Sequence, residues 1–150
     1  AKAAIINKGI VNINDEVCLI NNSLMAGSSK YATADVLPAK SNVKKIDKNI
    51  KIFIQINVGG EGQKSGIEPT EIKKFLDVCR EDLKLQIVGL MCIPPNEENV
   101  EKYFSRMLKI RNELSLDELS MGMSNDYLQA IKYEASFVRI GSKIFGKRSI

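Results

Sequence analysis

Between residues 50 and 140, short apolar runs rich in β-branched residues alternate with segments whose apolar positions recur at helical spacing. That alternation admits few folds. Lys51-Ile-Phe-Ile-Gln-Ile-Asn-Val58 has strand composition, and so have Leu85 to Ile93 (ended by Pro94 and Pro95), the run around Leu119, and Phe137 to Ile140. Between them, Pro69 and Thr70 open a helix with Ile72, Phe75, Leu76, Cys79 and Leu83 on one face. A second helix carries Val100, Phe104, Met107, Leu108 and Leu114 as its stripe, and a third spans Asp126 to Tyr133. Strand starts lie about 30 residues apart, tightening to about 20, which is the spacing of βα repeats. The strands are almost continuously apolar, as parallel strands covered by helices must be. The class is therefore α/β with a parallel sheet, and its chemistry belongs at the C-terminal ends of the strands.

The first fifty residues are less patterned. Val17-Cys-Leu-Ile20 and Ser23-Leu-Met-Ala26 are strand material separated by the turn signal Asn21-Asn22. Residues 1–14 suit a short helix, and residues 31–50 a loop with a short exposed helix.

The polar residues at strand C-termini are the candidates for function: Lys30, Asn57, Ser120 to Ser124 and Arg139 to Ser142, with the apolar Met91 among them. Two of these stretches, Leu119-Ser-Met-Gly-Met-Ser-Asn-Asp126 and Phe137-Val-Arg-Ile-Gly-Ser142, run from a strand into a Gly/Ser turn. Side by side, such turns offer backbone N–H groups to an anion, most often phosphate. Ser124 suits an N-cap for the helix that follows the first turn. The plainer alternatives are two ordinary turns, a surface Lys30, and an Arg139 salt-bridged to a helix carboxylate.

Composition excludes several classes of function. The chain has 150 residues, enough for one domain with its own core. It has no His, which removes His-based triads and most catalytic zinc sites. A net charge of +4 with dispersed lysines does not call for nucleic acid, and Lys143, Lys147 and Arg148 suit a solvated end. No apolar run matches a membrane span and no signal peptide is evident, so the expectation is a cytoplasmic protein. Its three cysteines, Cys18, Cys79 and Cys92, would be reduced core thiols.

Five motifs occurring in one order carry a family resemblance. They are Ile54-Gln-Ile-Asn-Val58 with Lys64-Ser-Gly66; Gly89-Leu-Met-Cys-Ile-Pro94; Tyr103-Phe104 with Met107; Leu119 to Ser124 with Asp126 and Ala130-Ile131; and Val138-Arg-Ile-Gly-Ser142 with Ile144-Phe-Gly-Lys-Arg148. Together, over about residues 50–148, they resemble the YggS/PROSC family of pyridoxal-phosphate homeostasis proteins. The resemblance implies a parallel (β/α) barrel of the alanine racemase N-terminal type, formed by residues 1–150 as one domain. It also implies pyridoxal 5′-phosphate held as a Schiff base on a lysine. The nearest match to the family's Leu-x-Ala-Val-Ser-Lys pattern is Leu24-Met-Ala-Gly-Ser-Ser-Lys30, with one residue more and Gly27 in place of Val.

On this reading the cofactor-binding residues are Lys30, Asn57, Met91, Ser120, Arg139, Gly141 and Ser142. Arg139 would face the pyridine nitrogen. The amides of Gly141 and Ser142, with the hydroxyls of Ser120 and Ser142, would hold the phosphate. The expected role is a cofactor carrier in vitamin B6 homeostasis, with a small-molecule partner and a monomeric or weakly dimeric state. The alternatives are an alanine-type racemase using the same cofactor and an interaction protein that has lost it. The family's Asn-Tyr and His-Phe-Ile-Gly motifs are missing between Lys30 and Lys51. With about five strands, against about 250 residues for a usual eight-stranded barrel, the expected sheet does not close.

Overall fold

Alternating strand and helix segments build one parallel sheet. The computed structural model describes residues 2–3, 17–20, 51–60 and 66–146. Strands are β1 (Lys2–Ala3), β2 (Val17–Ile20), β3 (Lys51–Gln55), β4 (Ile87–Met91), β5 (Glu118–Met123) and β6 (Phe137–Arg139). Helices are α1 (Ile72–Asp77), extended by a π-helical turn over Val78–Asp82, then α2 (Glu101–Glu113), α3 (Tyr127–Lys132) and α4 (Ser142–Phe145). The strand order is β1-β6-β5-β4-β3-β2, and every pairing is parallel.

From β3 to β6 each strand lies beside its predecessor, with a helix in each connection. The winding never reverses, so this is the progression of a barrel and not of a doubly wound sheet. β1 lies against the last strand, the neighbour relation that closure of a barrel uses. Among the described residues the sheet is open, with β1 and β2 at its edges.

Among the described residues one strand falls where the sequence suggested none. Lys2–Ala3 pairs as a strand in the stretch where a helix was expected; a two-residue strand is set by its neighbour and leaves no periodicity to find. The short helix α4 was also unanticipated. The remaining residues of 1–14, and all of 21–50, lie outside the described residues.

Helices cover one face. Ile52, Ile54, Ile56, Leu90, Leu119 and Met121 pack there against Phe75, Leu76, Phe104 and Met107 in a single core. The stripe of α2 includes Ile110, while Leu108 and Leu114 pack only partly buried at its margin. Full burial of side chains of this size contributes roughly 1.5–3 kcal/mol each.

The opposite face carries the candidate site. Register pairs Gln55 with Met91, Met91 with Ser120, and Ser120 with Phe137, so these four residues form one layer across the sheet. Phe53 lies a layer below and meets the Phe137 ring edge-on, with centroids 5.4 Å apart. Two bulges set which residues reach this face. In β4 the register advances from Ile87 to Gly89 while β3 moves only from Ile52 to Phe53. In β5 it advances from Ser120 to Met123 while β6 moves from Phe137 to Arg139. One extra residue reverses the facing of all that follow. The second bulge holds Gly122, at φ +92°.

Cys79 and Cys92 are free thiols buried in this core, and burial pushes each up to about 12. A raised thiol pKa in the folded chain adds stability that is complete below the unfolded value and is lost as pH rises through the folded one. Stability should therefore decline across pH 9 to about 12, by on the order of 4 kcal/mol per thiol once both forms ionise. Urea midpoints at pH 8 and pH 11 test this, together with labelling by Ellman's reagent. Cys79 and Cys92 should react at pH 8 only at the rate of unfolding; rapid labelling of either in the folded protein contradicts the burial.

Candidate functional site

The site is built around Arg139, the last residue of β6. Its side chain is only 4% exposed, which an arginine tolerates only with good acceptors. Nη1 donates to the Ser120 carbonyl oxygen and to Ser120 Oγ, both at 2.9 Å, and Nη2 donates to the Cys92 carbonyl at 2.7 Å. All three acceptors are neutral, so the alternative of a salt bridge to a helix carboxylate does not hold among the described residues. Nε is buried and finds no hydrogen-bond partner among the described residues. Burial lowers the guanidinium pKa from its ordinary value, and the Cys92 thiol and the Asp126 carboxylate act in the opposite sense.

Beside Arg139, the ends of β5 and β6 form the two Gly/Ser turns, and a hydrogen bond joins them. Ser124 is buried, and its Oγ accepts from the N–H of Gly141 at 3.1 Å and of Lys143 at 3.5 Å. The N-cap expectation for Ser124 is thus corrected. Asp126 holds the cap position of α3 without a side-chain cap bond, and its Oδ1 accepts from the Met123 N–H at 2.5 Å. Ser124 could not be assigned from sequence because its donors lie 17 and 19 residues away.

The Gly141 N–H, expected to face a phosphate, is directed to Ser124. Ser142 follows at the start of α4 and is exposed. A Cβ built on Gly141 would have nothing within 4 Å, so the turn opens onto space.

The other candidates divide. Met91 (2% exposed) and Ser120 (8%) lie in one layer directly below Arg139. Ser120 Oγ is turned to the guanidinium, where the sequence reading assigned it to phosphate. Asn57 is buried beyond the end of β3, and its Nδ2 donates to Glu68 Oε1 at 2.8 Å, tying β3 to the segment before α1. Lys30 lies outside the described residues. Tyr103 and Tyr133 bond Glu97 and Glu101 through their hydroxyls, and the Lys143 ammonium lies 4.8 Å from the Tyr127 ring centre, consistent with packing roles for all three tyrosines. No group of three or more metal-binding side chains occurs among the described residues, and no described helix is long and apolar enough to cross a membrane.

A parallel, singly wound sheet with a buried arginine and a Gly/Ser turn at its C-terminal mouth defines a class, and the sequence profile of the alanine racemase N-terminal domain matches residues 17–149. The chain belongs to that family. Within it, the chain is 42% identical over 106 residues to the pyridoxal phosphate homeostasis protein of Aquifex aeolicus, covering 65% of this chain and 46% of that protein. It is 31% identical over 150 residues to the protein of the same name from Bos taurus, covering 91% of this chain and 55% of the other. PipY of Synechococcus elongatus, solved with pyridoxal phosphate bound, superposes with a TM-score of 0.64 at 25% identity, over 77% of this chain and 57% of that one. Alanine racemase from Corynebacterium glutamicum shares the fold, with a TM-score of 0.52 at 16% identity over 74% and 34% of the two chains. The YggS/PROSC resemblance read from the five motifs is borne out by these relatives. The chain spans about half the length of the curated relatives it matches.

Proposed function

We propose that this chain binds pyridoxal 5′-phosphate at the C-terminal mouth of its sheet and serves vitamin B6 cofactor homeostasis, as one barrel-type domain over residues 1–150 of a cytoplasmic, monomeric or weakly dimeric protein. The observation that carries this reading is the unpartnered Nε–H of Arg139. A buried donor left without an acceptor costs about 1–3 kcal/mol, more when charged. An unprotonated pyridine nitrogen is an acceptor that would satisfy it. Arginine keeps its own proton, so a ring nitrogen bound there stays unprotonated. The cofactor supplies a reactive aldehyde and an electron sink, which such a pairing weakens. This suits carriage over demanding carbanion chemistry.

The remaining residues fit the same ligand. The Ser142 amide and hydroxyl would hold the phosphate, with Gly141 leaving room for it. Ser124 Oγ accepts from two amides, and its own hydrogen is left to donate toward the same anion. Met91 would floor the pocket. Asn57, engaged with Glu68, would shape the β3 end of the mouth. Lys30 would be the lysine to which the cofactor is attached.

Purified protein should take up about one equivalent of pyridoxal phosphate, a stoichiometry set by the single Arg139 site. Borohydride reduction and peptide mapping should place the label on Lys30. A label on Lys51 or Lys64 would move the lysine while sparing the cofactor, and no uptake would refute the function. The phosphate arm has its own test. A hydrogen bond to a charged acceptor is worth roughly 1.5–3 kcal/mol, or about ten- to hundredfold in affinity. Ser142→Ala should weaken pyridoxal phosphate by that factor and leave pyridoxal, which has no phosphate, nearly unchanged. Gly141→Val should be worse for the phosphorylated ligand and nearly silent in the melting temperature of the free protein, because its side chain enters open space. Equal losses for both ligands would make the turn structural.

A further inference from the structure

Ser120 makes two contacts with the same nitrogen. Its carbonyl and its hydroxyl oxygen each accept from Arg139 Nη1 at 2.9 Å, while the Cys92 carbonyl holds Nη2 at 2.7 Å. Three acceptors on two neighbouring strands fix the plane of the guanidinium, whose donors form a rigid fork. With that plane fixed, Nε–H has one direction left, and in that direction it meets no acceptor among the described residues. The two carbonyls are not equivalent to the hydroxyl. The Ser120 carbonyl also accepts from the Cys92 N–H at 3.2 Å and belongs to the sheet whatever side chain is present. The hydroxyl is the one acceptor of the three that a side chain supplies. Ser120 is 8% exposed and lies in the layer below Arg139, on the face that carries the site.

We infer that Ser120 is a positioning residue for ring-nitrogen recognition: its hydroxyl locks the Arg139 guanidinium so that Nε–H is aimed at the ligand. This rests on the cofactor reading above and replaces the phosphate contact that the sequence suggested for Ser120. The site thereby selects heteroaromatic aldehydes with an unprotonated ring nitrogen. The hydroxyl acts through Arg139 and not on the ligand.

Three ligands separate the roles when titrated into the full chain: pyridoxal phosphate, pyridoxal, and 1-deazapyridoxal phosphate, in which a C–H replaces the ring nitrogen. The wild type should prefer pyridoxal phosphate over the deaza compound by about tenfold or more, the scale of one charge-assisted hydrogen bond. Ser120→Ala should lose most of that preference, weakening pyridoxal phosphate and pyridoxal by a similar factor and the deaza compound little. Ser120→Thr, which keeps the hydroxyl, should restore it. If Ser120→Ala weakens both phosphorylated ligands equally and spares pyridoxal, Ser120 is a phosphate ligand and the inference is wrong. Equal weakening of all three, with a lower melting temperature and no rescue by threonine, makes it merely structural and also overturns the inference. A wild type that binds none of the three removes the cofactor reading itself, an outcome distinct from both.

Discussion

Arg139→Met should cost about ten- to hundredfold in affinity for pyridoxal phosphate while leaving the free protein as stable as the wild type, or more so. The two halves have separate causes. The affinity loss is one hydrogen bond from a charged donor to the ring nitrogen, roughly 1.5–3 kcal/mol. The stability follows from what the guanidinium gains and loses in the free protein. Its charge is buried at 4% exposure against three neutral oxygens, with Nε unpartnered. Desolvating a charge costs several kcal/mol, and a well-packed apolar side chain of similar volume is often neutral or stabilising in its place. Methionine fits the slot by length and flexibility. The acceptors left behind are few, since the Ser120 carbonyl keeps the Cys92 N–H. Calorimetric melting of the ligand-free variant, paired with titration by pyridoxal phosphate, reads both halves. A variant that melts well below wild type would show that Arg139 is held for the fold, and unchanged affinity would remove it from the site.

Gly122→Ala should damage stability and cofactor binding together. Gly122 sits in the β5 bulge at φ +92°, where a side chain costs about 1–2 kcal/mol. A Cβ there would lie 2.6 Å from the Ala130 Cβ and 3.0 Å from the Tyr127 Cα, both on α3. Since Ala130 is wholly buried and Tyr127 Cα is backbone, α3 would have to move. Overpacking of this kind adds about 1–3 kcal/mol. The sum, roughly 2–5 kcal/mol, corresponds to a melting temperature lower by about 4–20 °C for a chain of this size. The same bulge brings Met123 level with Arg139 and delivers Ser124 to the second turn, so cofactor affinity should fall along with stability. A melting temperature within a degree or two of wild type would mean that the bulge relaxes at no cost. Full affinity in a destabilised variant would mean that the bulge does not position the mouth.

Much of this architecture was legible in the chain before any coordinates. The β-branched runs at Lys51, Ile87 and Phe137 became strands, and Phe75, Phe104 and Met107 became core, because both depend on periodicity, which is local. The parallel α/β class followed from the spacing of those runs, and the alanine racemase N-terminal kind of barrel from the family resemblance that the five motifs carry. Residue types also pointed to the candidate site: a Gly/Ser turn after an apolar strand is an anion signal, and an arginine just before it is conspicuous. What each residue touches was decided elsewhere. Ser124 and Gly141 are 17 residues apart and meet only because β5 and β6 are neighbours. Ser120 and Cys92 reach Arg139 from 19 and 47 residues away. The two bulges reverse the facing of strand residues, an effect of single positions that a hydrophobic pattern does not register. Residue chemistry named a mouth with an arginine and a Gly/Ser turn. Only the packing of neighbouring strands determined that the arginine is clamped by neutral oxygens and keeps one N–H with no acceptor among the described residues.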